Sequence, residues 1–509
     1  MRLPFGFEIV RRRGGPIVRR RRPLAVTGRR SFSGAQRTDL THSWASTPQT
    51  INEMLANDQE SLRARSRDLA ANTDHGSKFV KMARGNVVGP DGLVLQARTL
   101  NPDGSLDVLA NEALEEAFTA WGESEFCSMC GTLGWVDIQD LFISSNLEDG
   151  EAIFRAVGGP TAGEWGFSLY QVDPSLLDIG YNQELPNGTA IIMGVEVDGW
   201  GRRIAYHFRD DGPGVYRAQN GRDYIRVPAN QVLHRFIPER ANQIRGVPWM
   251  SPSMLRLKMF AAFEEAAVVN ARLAASKVGI ITTPAGDTYS GADDIDPLTG
   301  DQIMDGDPGT WLTAAEGQQI HTWDPAYPNG EFGDFSESIL QSIASGFNVD
   351  YPSLSSNQKG TSYSSMRSGL VETREVWKKL QTWMIRSFVR PVYNEWLSWA
   401  LLQQKIMVPS AAGPRPLRID KAEKFKRVRF QGRRWAWVDP KSDAMASQIL
   451  INEGLASRSE IIRDRGRDPG EVWEEIENEN KIMSEKSITV GVMSGPANGK
   501  DDGETEQTE

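Results

Sequence analysis

The sequence predicts an α+β protein in which one block of short strands is set between long helices, and three observations carry that prediction. Helical patterning runs from Thr50 to about Arg84 and again from Asn111 to Trp121. Short segments rich in β-branched and aromatic residues, separated by turn dipeptides, then fill Glu148 to Phe236. After Pro252 comes a stretch of roughly two dozen residues with neither proline nor internal glycine. At 509 residues the chain exceeds the ~250–300 at which a single core stops growing, so several structural regions are expected.

Composition narrows the class. Hydrophobic residues make up 39% and charged residues 24%, and no run approaches the ~18 apolar residues of a membrane span, which predicts a soluble chain. The apolar stretches around Arg11 to Arg13 and Arg19 to Arg22 are too short for a signal-peptide core, so synthesis in the cytosol is expected. Cys127 and Cys130 are the only cysteines, which excludes a disulfide framework. The net charge of -10 argues against a surface that clings to nucleic acid everywhere, so any DNA contact must be local or weak. The first thirty residues hold ten arginines against the single acid Glu8, while the chain ends KDDGETEQTE. Residues 1–49 are expected to be a disordered arginine-rich arm, and 484–509 a disordered acidic tail. The arm reads as a solvated tail, with a nucleic-acid or scaffold contact as the alternative.

Taken in order, residues 50–147 read as helical: SLRARSRDLAAN carries strong helix formers, polar on all faces, and the turn NTDHG closes the segment. Leu114, Phe118 and Trp121 share one helical face, and VDIQDLFISS continues the pattern. Residues 148–250 read as a compact β domain built from GEAIFRAV, GFSLYQVD, AIIMGVEVD, RRIAYHFRD and DYIRVP. Residues 251–279 form a helix of ~35–40 Å ended by Gly279. Its alanines, Ala261, Ala262, Ala266, Ala267, Ala271, Ala274 and Ala275, permit close approach of neighbouring helices and suit a ring of side-by-side helices. Residues 280–331 are an acidic, Gly/Asp-rich insertion with strands expected at TWLTAA and QQIHTW. Helix returns over 332–350, and 351–365, containing SLSSNQKGTSYSS, reads as a flexible loop whose only charge is Lys359. Over 366–405 a long helix carries Val371, Val376, Leu380, Trp383, Met384 and Phe388 at helical spacing, with a kink expected at Pro391. Residues 406–483 read as a basic stretch followed by helices.

Catalytic signatures are missing. The sequence contains no GxxxxGK[ST] phosphate loop, GxSxG elbow, HExxH pair or EF-hand loop. His42, His75, His207, His234 and His321 lack metal-ligand spacing, so neither metal nor other cofactor is expected. Cys127 and Cys130 form a CxxC that reads as a buried or inert pair, zinc or redox use being the alternative. Asp137, Asp140, Glu148, Asp149 and Glu151 could be nuclease carboxylates, but they read as helix-cap and turn acids. No catalytic residue is assigned.

Several segments in sequence carry a family resemblance. The most specific are VLHRFIPERANQIRGVPWMSPSM (Val232 to Met254), with Gln243, Arg245, Gly246, Val247 and Pro248 at its centre, and TSYSSMRSGLVETR (Thr361 to Arg374). RSRDLAANTDHGSKFVKMARGNVVGPDGLVLQ, LEDGEAIFR, GVEVDGWGRRIAYHF, RPVYNEWL and WAWVDP support them. In this order the chain resembles the lambda-type portal proteins of tailed phages, the arginine-rich arm being unlike the family. The resemblance implies a portal fold assembled as a dodecameric ring at a capsid vertex, through which double-stranded DNA is packaged and ejected. Residues 50–250 would be the wing, 251–279 and 332–350 the stem helices, 280–331 the clip, 351–365 the tunnel loop, 366–405 a long wing helix and 406–483 the crown side. Implied partners are the terminase large subunit, major capsid and scaffold proteins, and head-completion adaptor proteins, with no membrane. The implied location is the virion, and the host cytoplasm during assembly.

Within that frame three groups are candidate sites. Lys359, with Ser356, Asn357, Gln358 and Thr361, would line the channel, because a conduit must touch moving DNA weakly and without sequence preference. A solvated loop is the alternative. Lys424, Lys426, Arg427, Arg429, Arg433 and Arg434, interleaved with Phe425, Phe430, Trp435 and Trp437, form a basic patch suited to phosphate or to an intersubunit interface. Asp293, Asp294, Asp296, Asp301, Asp305 and Asp307 would dock terminase or adaptor, or else be ordinary solvated acids. The rival classes are a ringless nucleic-acid-binding phage protein and, least favoured, a phage nuclease or protease.

Overall fold

A computed structural model describes residues 47–186, 188–209, 224–275, 279–282, 294–295, 302–303, 319–322, 332–359, 362–411, 413–435, 440–467 and 469–486. The arginine-rich arm and most of the acidic tail lie outside the described residues.

Helix α1 (Ile51–Asn72) buries Ile51, Leu55, Gln59, Arg63, Ser66 and Leu69 along one stripe, so the expectation of a helix polar on all faces needs correcting. Gln59 and Arg63 on that stripe are not solvated; both meet the Glu151 carboxylate inside the protein. Thr73 then caps α2 (Asp74–Val87), its hydroxyl accepting from the Gly76 amide at 3.2 Å. After β1 (Val94–Ala97) come α3 (Val108–Trp121), the single turn α4 (Ser124–Cys127) and α5 (Trp135–Glu148). Asp137, on the first turn of α5, accepts from the Gly134 amide at 2.9 Å.

The strands between 152 and 235 form two sheets, where the sequence suggested one block. In the first, β2 (Ala152–Gly158) lies between β3 (Phe167–Val172) and β9 (Val232–Arg235), all antiparallel. In the second, β4 (Gln183–Glu184), β5 (Ala190–Ile192), β6 (Val195–Val197), β7 (Arg203–Arg209) and β8 (Tyr224–Pro228) follow one another as an antiparallel meander. The two separate because β9, instead of extending the meander, returns to pair with β2.

Helix α6 (Met254–Ala275) leads to short strand pairs, β10 (Gly279–Thr282) with β13 (Gln319–Thr322) and β11 (Asp294–Ile295) with β12 (Gln302–Ile303). The expected strand QQIHTW thus exists at Gln319–Thr322, whereas TWLTAA lies outside the described residues. Helix α7 (Phe332–Phe347) packs back on α6, with Phe263 stacked on Phe332 at 5.3 Å between ring centres. The loop expected over 351–365 is in part helical. Asp350 caps a turn, α8 (Tyr351–Ser355), and Ser362 caps α9 (Tyr363–Met384). Ser356 and Ser362, two of the serines that suggested a loop, stand there at helix ends.

The expected kink at Pro391 is a π-helical turn over Ile385–Val389, between α9 and α10 (Arg390–Leu402). Proline lacks the N–H that would bond the carbonyl four residues back. That carbonyl, on Ser387, accepts from Arg235 Nε at 2.5 Å instead. The extra residue in the turn aims both Phe388 and Val389 inward, where Phe388 stacks on Phe142 at 4.4 Å.

The basic stretch that opens residues 406–483 holds short strands: β14 (Met407–Val408) pairs with β15 (Arg415–Pro416), then α11 (Ala422–Phe425) leads to β16 (Val428–Gln431). Strand β16 pairs antiparallel with β1, joining two segments far apart in the sequence. Helices α12 (Pro440–Asn452), α13 (Arg458–Asp464) and α14 (Pro469–Glu485) follow.

Two hydrophobic clusters result. The larger joins the helices to β2 and β3 around Trp121, Trp135, Phe142, Phe388 and Trp396; the Trp121 indole donates to the Phe167 carbonyl at 2.9 Å. The smaller fills the underside of the meander with Val195, Tyr206 and Phe208 and takes Ile51 and Leu55 from α1.

Candidate functional site

The expected channel loop is anchored at its start and exposed at its end. Ser356 ends α8 in the left-handed conformation (φ 60°), and Lys78 on α2 donates to its hydroxyl. Asn357 Nδ2 donates to the Tyr351 hydroxyl at 3.1 Å, and its Oδ1 accepts from the Lys359 amide at 3.0 Å. The Lys359 side chain is exposed, as are Ser356 and Gln358, while Thr361 lies outside the described residues. Asp350, at the other end of α8, accepts from Thr373 on α9 at 3.0 Å, so the loop is pinned between three helices.

The basic stretch does not face solvent as one patch. Lys424 pairs with Asp107 and Lys426 with Glu423, at 2.5 Å for the second. Arg433 Nη1 donates to the Gly85 carbonyl, and the Arg434 side chain lies against Gly466. Arg427 and Arg429 are exposed. Phe425 is buried and its carbonyl accepts from the Tyr393 hydroxyl at 2.9 Å, and the Trp435 indole donates to Asn86 at 2.7 Å. Much of this stretch therefore fastens β16 and its flanks to α2 and α3, because a strand joining the far end of the chain needs side-chain anchors. Of the six acidic candidates, Asp294 lies in β11, while Asp293, Asp296, Asp301, Asp305 and Asp307 lie outside the described residues.

A third constellation went unread in the sequence. Glu151, fully buried just before β2, accepts from Arg245 Nε at 3.0 Å and Nη2 at 2.5 Å, Arg63 Nη2 at 2.9 Å, Gln59 at 3.2 Å and the Gly246 amide at 3.0 Å. His234 Nε2 lies 2.9 Å from Glu151 Oε2, the oxygen that also takes the Gly246 amide. Because a carboxylate only accepts, that nitrogen carries the proton. Arg245 is itself wholly buried and also donates to the carbonyls of Leu177 (2.9 Å), Met193 (2.8 Å) and Pro174 (3.3 Å). Arg67 bridges Asp149 at 2.6 Å and Asp173 at 2.8 Å beside it. Burial pushes Glu151 up, but Arg245 and His234 outweigh it and hold the carboxyl well below its usual range. Burial depresses His234 to about 4, only partly countered by Glu151, so the imidazole is neutral at pH 7.

Glu151 and Asp149 are thus more than turn acids, a correction the sequence could not supply. The partners named come from three separate segments, α1, β9 and the run Gln243 to Pro248, and only the last was singled out in the sequence. Asp137 is the helix-cap acid expected, and Asp140 pairs with Arg84 at 2.8 Å. The cysteines also divide: Cys127 is buried, its thiol pushed by burial to about 12, whereas Cys130 is exposed, so the pair is not buried as a unit. The slight burial of Cys130 would raise its thiol, but hydrogen bonds with the Ser128 and Thr132 hydroxyls lower it to about 7. Among the described residues no cluster of His, Cys, Asp and Glu suits a metal, and no helix is long and apolar enough to cross a membrane.

Residues 37–381 match the family described as phage portal protein, lambda family. The chain is 29% identical over 459 residues to the probable portal protein of Halomonas phage phiHAP-1, covering 88% of this chain and 85% of that one. It is 24% identical to the portal protein of Escherichia phage N15 and 23% identical to portal protein B of Escherichia phage lambda, in each case covering 55% of this chain and 56% of the other. Among solved structures, a chain from the neck of an empty gene transfer agent particle aligns over 81% of this chain and 94% of its own at 14% identity, with a TM-score of 0.39. A likeness that weak says nothing of how this chain assembles.

Proposed function

Because the chain belongs to the lambda family of phage portal proteins, we propose that its subunits close into a ring of about a dozen at one capsid vertex, through which double-stranded DNA is packaged and ejected. The observation that carries the ring is the outer side of α6. Leu255 is 74% exposed, Met259 65% and Val269 51%, and Ala262 and Ala266 beside them are exposed as well. From Leu255 to Val269 that side runs about 20 Å at 1.5 Å per residue, and an apolar side that long calls for a cover. The small alanines let a second copy of α6 or α7 supply it.

On this reading α6 and α7 are the stem, β10 to β13 the base of the clip, the two sheets the wing, and α12 to α14 the crown. The exposed Lys359 would present one positive charge per subunit to passing phosphates, too few for tight binding. The subunit supplies a structural conduit and no catalysis, so terminase would bring the energy for translocation. Terminase, head-completion adaptors, capsid and scaffold proteins are the partners proposed. The mature ring would sit in the virion, after assembly in the host cytoplasm.

Native mass spectrometry across subunit concentration, with negative-stain imaging of the same sample, tests the ring. A closed particle of about a dozen subunits with a central hole is expected. A persistent monomer or dimer that binds DNA tightly at low salt would replace this reading with a ringless binding protein. Within assembled particles, Lys359→Ala is expected to lower DNA retention; unaltered packaging and retention would remove Lys359 from the channel.

A further inference from the structure

Trp200 is 95% exposed, more than any other large hydrophobic residue described. It stands at the tip of the β6–β7 hairpin, in a turn that its neighbours make rigid. The Asp198 carboxylate accepts from the amides of Trp200 (2.9 Å) and Arg202 (2.8 Å), the Asp198 amide donates to the Arg202 carbonyl at 3.0 Å, and Gly201 takes φ 77°. Asp198 and Gly201 suffice to build this turn. The indole contributes nothing to it, yet a tryptophan held in water on a fixed backbone loses little freedom on docking and has 150–250 Å² to bury. Arg202, beside it, is exposed too.

A receptor of matching chemistry lies elsewhere on the same chain. Between β1, the α3–α4 corner and the segment after β16 runs a cleft of about 880 Å³. Its floor includes Val94, half exposed, and Val136. The exposed acids Asp91, Glu116 and Glu123 line it together with the arginines Arg433, Arg434, Arg465 and Arg467.

We propose that Trp200 of one subunit enters this cleft on the next. The indole would cover Val94 and Val136 beneath the Arg434 guanidinium, a cation–π arrangement, and Arg202 would face Glu116 and Glu123. Knob and cleft are different surfaces, so the contact is head-to-tail and repeats around a closed circle. This inference rests on the ring reading, from which the test separates it.

The test joins Trp200→Cys to Glu116→Cys in a Cys130→Ser background and treats assembled protein with a short bismaleimide. Cross-linked multimers in the double variant, absent from each single variant, are expected. Trp200→Ser should move half-assembly to at least about tenfold higher concentration, with Trp200→Phe restoring most of the loss. Rings that form without the cross-link, or that assemble at wild-type concentration with Trp200→Ser, overturn this contact and leave the ring standing. Absence of any oligomer overturns both. The indole lies outside every core, so Trp200→Ser is expected to fold.

Discussion

Replacing Arg245 by methionine preserves much of the side chain's volume but removes its charge and every donor. In the folded protein that strips two charge-assisted contacts from Glu151 and leaves the carbonyls of Leu177, Met193 and Pro174 without this donor, all in a place water does not reach. Breaking one side of a buried ion pair costs about 3–5 kcal/mol, and the orphaned carbonyls place Arg245→Met toward the upper end. Arg63, the Gly246 amide and Gln59 remain on Glu151, which keeps the loss from being larger. The assay is chemical denaturation of subunits held below the assembly concentration, followed by tryptophan fluorescence. Glu151→Gln, which strands Arg63 and Arg245 together, should also destabilise, and the double variant should lose at least ~1 kcal/mol less than the sum. A loss under about 1 kcal/mol for Arg245→Met, or additivity within ~0.5 kcal/mol, would refute the view that this ion centre holds helix α1, the two sheets and the Gln243 to Pro248 segment together.

The same centre gives the subunit a pH dependence. His234 titrates near 6.5 when unfolded and about 4 when folded, so between those values the unfolded chain binds the extra proton and stability falls as pH falls. The loss reaches about 3 kcal/mol by pH 4, at most ~1.4 kcal/mol per unit; a melting series from pH 7.5 to 4.5 should show it, and His234→Gln should flatten it. Alkylation by iodoacetamide at pH 7 should modify Cys130 in native protein and Cys127 only after denaturant, as read by peptide mass spectrometry, since one thiol is exposed and depressed to about 7 while the other is buried and raised to about 12. Gly246→Ala would set a methyl carbon 1.9 Å from the Gly150 carbonyl oxygen, and soluble yield should collapse with a destabilisation above ~4 kcal/mol.

The helices and strands were legible because their signals are local. Alanine-rich α6 has no proline or internal glycine, and β7 and β8 read as β-branched and aromatic runs. What could not be read depends on partners distant in the chain. β16 sits in a basic stretch whose pairing with β1 has no signature at either end. Arg63 looks like any solvated helix residue until Glu151 is seen 2.9 Å away. The loop around Lys359 was visible from its small polar residues, yet Ser356 ends α8 and Ser362 caps α9, so more of the segment is helical than composition suggests.

Gly150 and Gly246 press backbone to backbone: a carbon added to Gly150 would lie 2.3 Å from Val247, just as one added to Gly246 meets Gly150. No side chain stands between them that could shrink in compensation. Among variants of this chain the two positions should therefore behave as independently fixed characters, each intolerant whatever stands at the other. A library randomised at both should return the parental pair, with none of the paired exchanges that mark ordinary core neighbours.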